Sequence, residues 1–545
     1  MRTAALVAVT GSLLLTAAAT APAQPGAAPR PSAAERLAAG TAEAARQSAA
    51  AGIRFGPCPE RYHLEPPVEC GTVSVPVDYA RPGGQKLPLT VSRARASGAD
   101  AEGKPVRRQG SLVFQTGTPG SSGLYFPMAA GLGSWQRVHS AYDLVGYTPR
   151  GVGADGGLSC QDPADAPTAA PQRPDAVFKA EARARATAYA AGCLSSAGTG
   201  LEQFSTETGA RDLDVLRAAL GERRLTFMGV SYGGYVGAVH ASLFPGHVRR
   251  MVFDSAPDPA PGRMGYPDSL RQSAAFERRW HDFLDWVARH DEAYGLGTTA
   301  AAVQRRYDGV REELAKKPAD GTVGPAQLQA AFAKTVFYDD YWPIRATALA
   351  AWVHGEREFL IQQAAPVPEA AAERENAAAV TAAVRCQDSA WPRDWATWDR
   401  DATRLARTAP FAAWAHTWAH LPCASWPVKA RKPVDVGAAG AARAAGSARG
   451  TLPPTLILAA EQDAVAPLAG ARELRRRLAG SVLVTERDAG MTGLGGGPND
   501  CVNRHLDDYL VAGHLPAADT SCAPHPEPRP LATGGRARFD VRRGE

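Results

Sequence analysis

The segment Gly229-Val230-Ser231-Tyr232-Gly233-Gly234 has the residue types and spacing for nucleophilic chemistry. It follows the apolar run 225–228 and precedes a second apolar run, 236–244. G-x-S-x-G between a strand and a helix forms a tight, strained turn that lifts the serine hydroxyl above the edge of a sheet, and the glycines are there because the turn leaves no room for side chains. A serine so placed needs a proton acceptor, a carboxylate to orient that acceptor, and N–H donors for the developing oxyanion. In scaffolds with this turn the carboxylate comes later in the chain than the serine, and the histidine later still. Asp463 qualifies, in the loop 461–467 after the apolar run 455–459, with Glu461 as its rival. The Tyr232 N–H supplies one expected oxyanion donor, and the glycine-rich loop 115–123, at Thr118, the other.

The elements that must position these residues are legible as hydrophobic runs. Residues 111–115, 143–147, 225–228, 250–253, 455–459 and 481–485 read as buried strands of a parallel sheet. A helix with Leu213, Leu216 and Leu220 on one face, closed by Gly221, leads into the third of them. Alternating strands and helices predict an α/β sheet. The rhythm breaks between 259 and 450, where helical patterns such as 276–290 and 299–314 and many tryptophans predict a helical cap. The expected organisation is therefore a core over 51–258, a cap over 259–450 and a returning core over 451–523.

The ends and the cysteines speak to compartment. Arg2, an apolar stretch over 4–19 and Ala21-Pro22-Ala23 have the layout of a signal peptide over 1–23, which predicts secretion. Residues 24–50 are expected to be a flexible leader and 524–545 a disordered tail, both from composition. Eight cysteines in a secreted chain predict four disulfides, and their grouping predicts neighbour pairing: Cys58 with Cys70, Cys160 with Cys193, Cys386 with Cys423, Cys501 with Cys522. No C-x-x-C or H-x-x-x-H spacing supports zinc, and no cofactor or metal is expected. The 545 residues are 45% hydrophobic and 21% charged, which excludes a disordered or collagen-like chain. A net charge of +5 without a basic run argues against nucleic acid, and no second stretch is apolar enough for a membrane span. A monomer acting on a peptide or small ester is expected.

Several motifs together resemble the secreted actinobacterial α/β-hydrolases related to tripeptidyl aminopeptidases and proline iminopeptidases. They are the stretch 70–79 beginning Cys70-Gly71 and ending Asp78-Tyr79, the run 142–146, Pro149-Arg150-Gly151, Asp212 with Leu216-Arg217, Phe244-Pro245, and Asp258-Pro259. The resemblance covers most of 55–525. It implies an α/β-hydrolase fold, Ser231 as nucleophile, Asp463 as acid, and release of short peptides from free N-termini.

The departures from the family pattern cluster around the same crevice. After the strand 481–485 the family places its histidine in a short glycine turn; here the turn is 489–494, with Met491 and Thr492 at the expected position, neither a proton acceptor near neutral pH. No histidine occurs between His420 and His505, and His505 and His514 read as structural or exposed. Thr118 replaces a glycine of the oxyanion loop, Thr148 an aspartate and Asp155 a serine. The leading expectation is a secreted serine peptidase-like hydrolase; the alternatives are a non-catalytic peptide-binding homologue and an esterase. An aminopeptidase also needs an anion for the substrate ammonium, and Asp388, Asp339 and Asp340 are the candidates in the cap.

Overall fold

The computed structural model describes residues 31–153, 157–165, 174–367, 370–438 and 451–531. The expected signal peptide, Asp155, the end of the cap and the last part of the tail lie outside them. Ten strands form one sheet in the order β1-β2-β3-β5-β4-β6-β7-β8-β9-β10. β1 (Gly56–Pro57), β2 (Glu69–Pro76) and β3 (Lys86–Ala94) pair antiparallel at one side, and β3 pairs antiparallel with β5 (Asp143–Tyr147). From β5 through β4 (Ser111–Gln115), β6 (Leu225–Val230), β7 (Val248–Asp254), β8 (Leu456–Ala460) and β9 (Val482–Glu486) to β10 (Thr520–Cys522), all pairings are parallel. The six runs read as strands are β4 to β9. β5 and β8 are buried at every position, which is why they read as continuous apolar runs.

Three of the resembling motifs meet in one buried cluster. Arg150 grips Asp212 with two N–H groups, Nη2 to Oδ1 at 2.6 Å and Nε to Oδ2 at 2.8 Å, and the Tyr79 hydroxyl donates to the same Oδ1 at 2.8 Å. Arg150 also donates to the carbonyls of Pro76 and Val77, so the fork joins the end of β2 to the helix Thr206–Ala219. Two planar groups matched bidentately hold that helix in register against the sheet.

Between β7 and β8 the chain leaves the sheet and folds as helices, among them Tyr266–Arg289, Ala300–Lys316, Trp342–Val353, Ala371–Asp388 and Ala413–His420. Trp280, Phe283, Trp286 and Phe332 anchor a hydrophobic core belonging mainly to this cap. Each of the four cysteine pairs is a disulfide between neighbours, 58–70, 160–193, 386–423 and 501–522. Among the described residues no helix is long and apolar enough to cross a membrane.

Two expectations from composition are corrected. The leader is not flexible over its second half: Ala33–Ala51 is a helix, started by a Ser32–Glu35 capping box. Its buried stripe is Gly40, Thr41, Ala44 and Ala45, and Thr41 accepts a hydrogen bond from Arg211 at 3.0 Å. A side chain at Gly40 would overlap the Tyr79 carbonyl, its Cβ lying only 1.7 Å away. Small residues make this close packing, and they leave the helix without the period of large apolar residues that marks a helix in sequence. The tail is not disordered from 524: His525 is buried between Glu486 and Asp339, and the Pro528 carbonyl accepts from Trp286 Nε1 at 3.2 Å.

Candidate active site

β6 ends at Val230, and Ser231 turns the chain with φ 48° and ψ −116° before the helix Tyr232–Leu243 begins. A serine in that region is strained and is held only by its surroundings. The Ser231 N–H donates to the Asp254 carbonyl at 2.8 Å. A Cβ at Gly229 would fall 2.3 Å from Gly233 carbonyl atoms, and one at Gly233 would fall 2.3 Å from the Gln115 carbonyl oxygen. Both glycines are thus required by close backbone approach. Gly117 packs against Ser231, and its carbonyl accepts from the Tyr232 N–H at 3.3 Å. The expected oxyanion donor is therefore occupied by a long bond that a substrate oxygen has to displace. Thr118 stands beside it on the cavity wall.

The loop after β8 buries Asp463, whose Oδ1 accepts from the N–H groups of Val465 (2.8 Å) and Ala466 (2.9 Å) and from the Thr492 hydroxyl (2.8 Å). Its Oδ2 is buried and makes no hydrogen bond of regular geometry among the described residues, with the Ser255 hydroxyl as the further group that favours the charged form. Burial pushes the carboxyl up to about 7 against these donors. The rival Glu461 is exposed and accepts from the Asp488 N–H at 3.0 Å, away from the cavity.

The turn 489–495 separates its two candidate positions. Met491 is buried in the core with Met228 and Leu494, whereas Thr492 lines the cavity with Ser231. Neither His505 nor His514 lines that cavity. Cys501, His505 and Cys522 come together, but both sulfurs are joined in a disulfide and cannot act as thiolate ligands.

Sequence reasoning missed the groups that hold this turn. Asp254, at the carboxyl end of β7, accepts from the N–H groups of Leu494 (3.0 Å) and Gly495 (2.7 Å), and Ser255 accepts from that of Gly493 (3.0 Å). Burial pushes the Asp254 carboxyl up to about 6. A carboxylate ending a parallel strand was the available signal.

The cavity, about 520 Å³, lies between the sheet and the cap. Its cap wall carries Asp268, Arg385, Asp388, His416 and His420. Asp388 accepts from the Thr206 N–H at 2.9 Å and from its hydroxyl, and burial pushes it up to about 6. Asp268, not singled out from sequence, is also raised by burial and pairs with Arg271 at 3.1 Å. Arg385 donates to His420 Nε2, and burial keeps both His416 and His420 neutral at physiological pH, His416 at about 4. Asp339 and Asp340 are corrected as amine-binding candidates. They lie outside this wall, and Asp339 is taken by His525 Nε2 at 3.0 Å.

A serine elbow on a mostly parallel sheet, a buried acid after a later strand and a helical cap define a serine α/β-hydrolase. Residues 409–522 match the family described as TAP-like protein. Over 504 residues the chain is 45% identical to the tripeptidyl aminopeptidase of Streptomyces lividans, with 91% of each chain covered. It is 27% identical over 481 residues to the serine protease Hip1 of Mycobacterium tuberculosis, covering 83% of this chain and 87% of that one. A carboxylesterase B of the same organism is 30% identical over 476 residues, covering 84% and 86%. The chain belongs to the tripeptidyl aminopeptidase family and is a serine peptidase-like α/β-hydrolase.

Proposed function

We propose that the protein is a secreted aminopeptidase that releases short peptides from free N-termini, with Ser231 as its nucleophile. The observation that carries this reading is the roofed cavity itself, with Ser231 on the sheet side and the half-buried carboxylates Asp268 and Asp388 on the cap side. A cavity of this size suits a short peptide end rather than an extended chain. Burial raises both carboxyls, and an entering ammonium would favour their ionised forms. The names of the aminopeptidase and protease relatives support peptide substrates.

The test is hydrolysis of tripeptide p-nitroanilides with free and with acetylated N-termini, beside Ser231→Ala. Free amines should be strongly preferred. Equal turnover of acetylated peptides or of short esters would replace the aminopeptidase reading with an esterase or endo-acting one. A second reading, a peptide-binding protein without turnover, is favoured by Thr492 in the base position; tight peptide binding with no Ser231-dependent hydrolysis would establish it.

A further inference from the structure

We propose that Thr492 and Asp463 together replace the absent imidazole: the Thr492 hydroxyl relays the proton of Ser231, and the Asp463 carboxylate receives it. The inference rests on the serine-hydrolase reading above and says how that reading works in this chain.

Three observations place the relay. Thr492 lines the same cavity as Ser231, and the turn that carries it lies against the elbow: a Cβ at Gly493 would sit 3.2 Å from Val230 Cγ1. The hydroxyl of Thr492 has one proton, and that proton is committed to Asp463 Oδ1 at 2.8 Å. Acceptor lone pairs are what remain for any other partner, so Ser231 O–H, reaching across the cavity through one water, meets an acceptor rather than a competing donor. Finally, Asp463 Oδ2 is sealed from solvent and makes no hydrogen bond of regular geometry among the described residues, the Ser255 hydroxyl being the one further group that favours its charged form. A carboxylate left so is costly to keep ionised, which makes it a ready proton acceptor.

The step balances. Ser231 Oγ bonds to the substrate carbonyl carbon, and the carbonyl π pair moves to its oxygen. The serine proton passes to the bridging water as that water gives one of its own to Thr492 Oγ1 and the threonine proton passes to Asp463, which becomes neutral. When the C–N bond breaks, the same path runs backwards and delivers the proton to the leaving amine. Water then hydrolyses the acyl-serine by the same transfers.

The acceptor must be ionised, so activity should rise with pH through about 7 and then level off. The titratable and charged groups around Asp463 and its turn are Asp254 at the end of β7, Glu486 at the end of β9 with His525 against it, and Tyr338 and Arg279 from the cap. Asp254 is nearest in pKa, but its oxygens are occupied by Leu494, Gly495 and Ser255.

The experiment measures two rates on the full-length protein across pH 5–9: tripeptide p-nitroanilide turnover and covalent labelling of Ser231 by a fluorophosphonate. Thr492→Val should lower both by roughly 10²-fold or more, Thr492→Ser should keep both within a few-fold, and Asp463→Asn should abolish the rise near pH 7. The relay is overturned by wild-type rates and an unchanged pH profile in Thr492→Val, or by Thr492→Ser falling as far as Thr492→Val. Labelling that follows this pattern without peptide cleavage leaves the relay standing and removes the aminopeptidase reading. A wild-type Ser231 that is never labelled overturns both.

Discussion

The elbow at 229–234 and the turn at 489–495 face the same cavity and are similarly buried, yet they are built in opposite ways. In the elbow, backbone meets backbone: Gly233 has the Gln115 carbonyl where a side chain would go, and Ser231 is held at φ 48° by the flanking strand and helix. A side chain added there must push the backbone against its neighbour. In the turn, the backbone N–H groups of residues 493–495 are held by Asp254 and Ser255, and Met491 and Leu494 fill the core. The Thr492 side chain has no share in that anchoring; its hydroxyl donates to Asp463 instead. Chemistry tied to backbone geometry is thus locked in by the fold, whereas chemistry carried by one side chain on an independently anchored turn is free to change.

Four predictions test this contrast. The largest effect is expected from Ser231→Ala, which should remove turnover by about 10⁴–10⁶-fold while leaving the melting temperature nearly unchanged; steady-state kinetics with calorimetry measures both. A residual rate close to wild type would mean that the elbow is not the reacting centre. Next, Thr492→His should raise turnover by roughly 10²–10⁴-fold, because a histidine there has Asp463 behind it and cavity space in front. The gain should vanish in the double variant with Ser231→Ala. No gain would show that the turn is more than a carrier for one side chain.

Third, His525→Ala should cost about 3–5 kcal/mol in a denaturant titration at pH 6, since it leaves Glu486 and Asp339 buried without their cation. The two carboxylates lift the folded-state value of His525 to about 10, above its ordinary 6.5. Its stabilisation is therefore complete below about 6.5 and is lost as pH rises through 10, so the cost of the substitution should shrink at high pH. A cost that is constant with pH would mean that His525 acts through packing alone. The smallest effect, about 1–3 kcal/mol from overpacking, is expected for Gly233→Ala, against no measurable change in stability for Thr492→Ser. Thermal melts of the two variants side by side would break the comparison if the order were reversed.

Local pattern alone was enough for the strands, the elbow, the neighbouring disulfides and the helical cap, because each depends on residues close together in the chain. Hydrophobic runs that must be buried on both faces look alike in any such sheet, and a glycine turn between strand and helix has few other uses. Asp463 was legible for the same reason, as a carboxylate just beyond a strand.

Tertiary structure decided what depends on side-chain direction and on distant partners. Met491 and Thr492 are adjacent and equivalent in sequence, but the turn sends one into the core and the other to the cavity. Asp388 and Asp339 are both cap carboxylates; the first reaches the cavity, while the second is claimed by His525 from 186 residues away. The leader helix depends on a close fit of small residues to helix Thr206–Ala219 and to Tyr79, far along the chain. Hydrophobic period and turn chemistry report whether a residue is buried and in which element. They carry no record of which remote group meets it there, and the proposed proton path from Ser231 and the proposed amine partner both turn on that meeting.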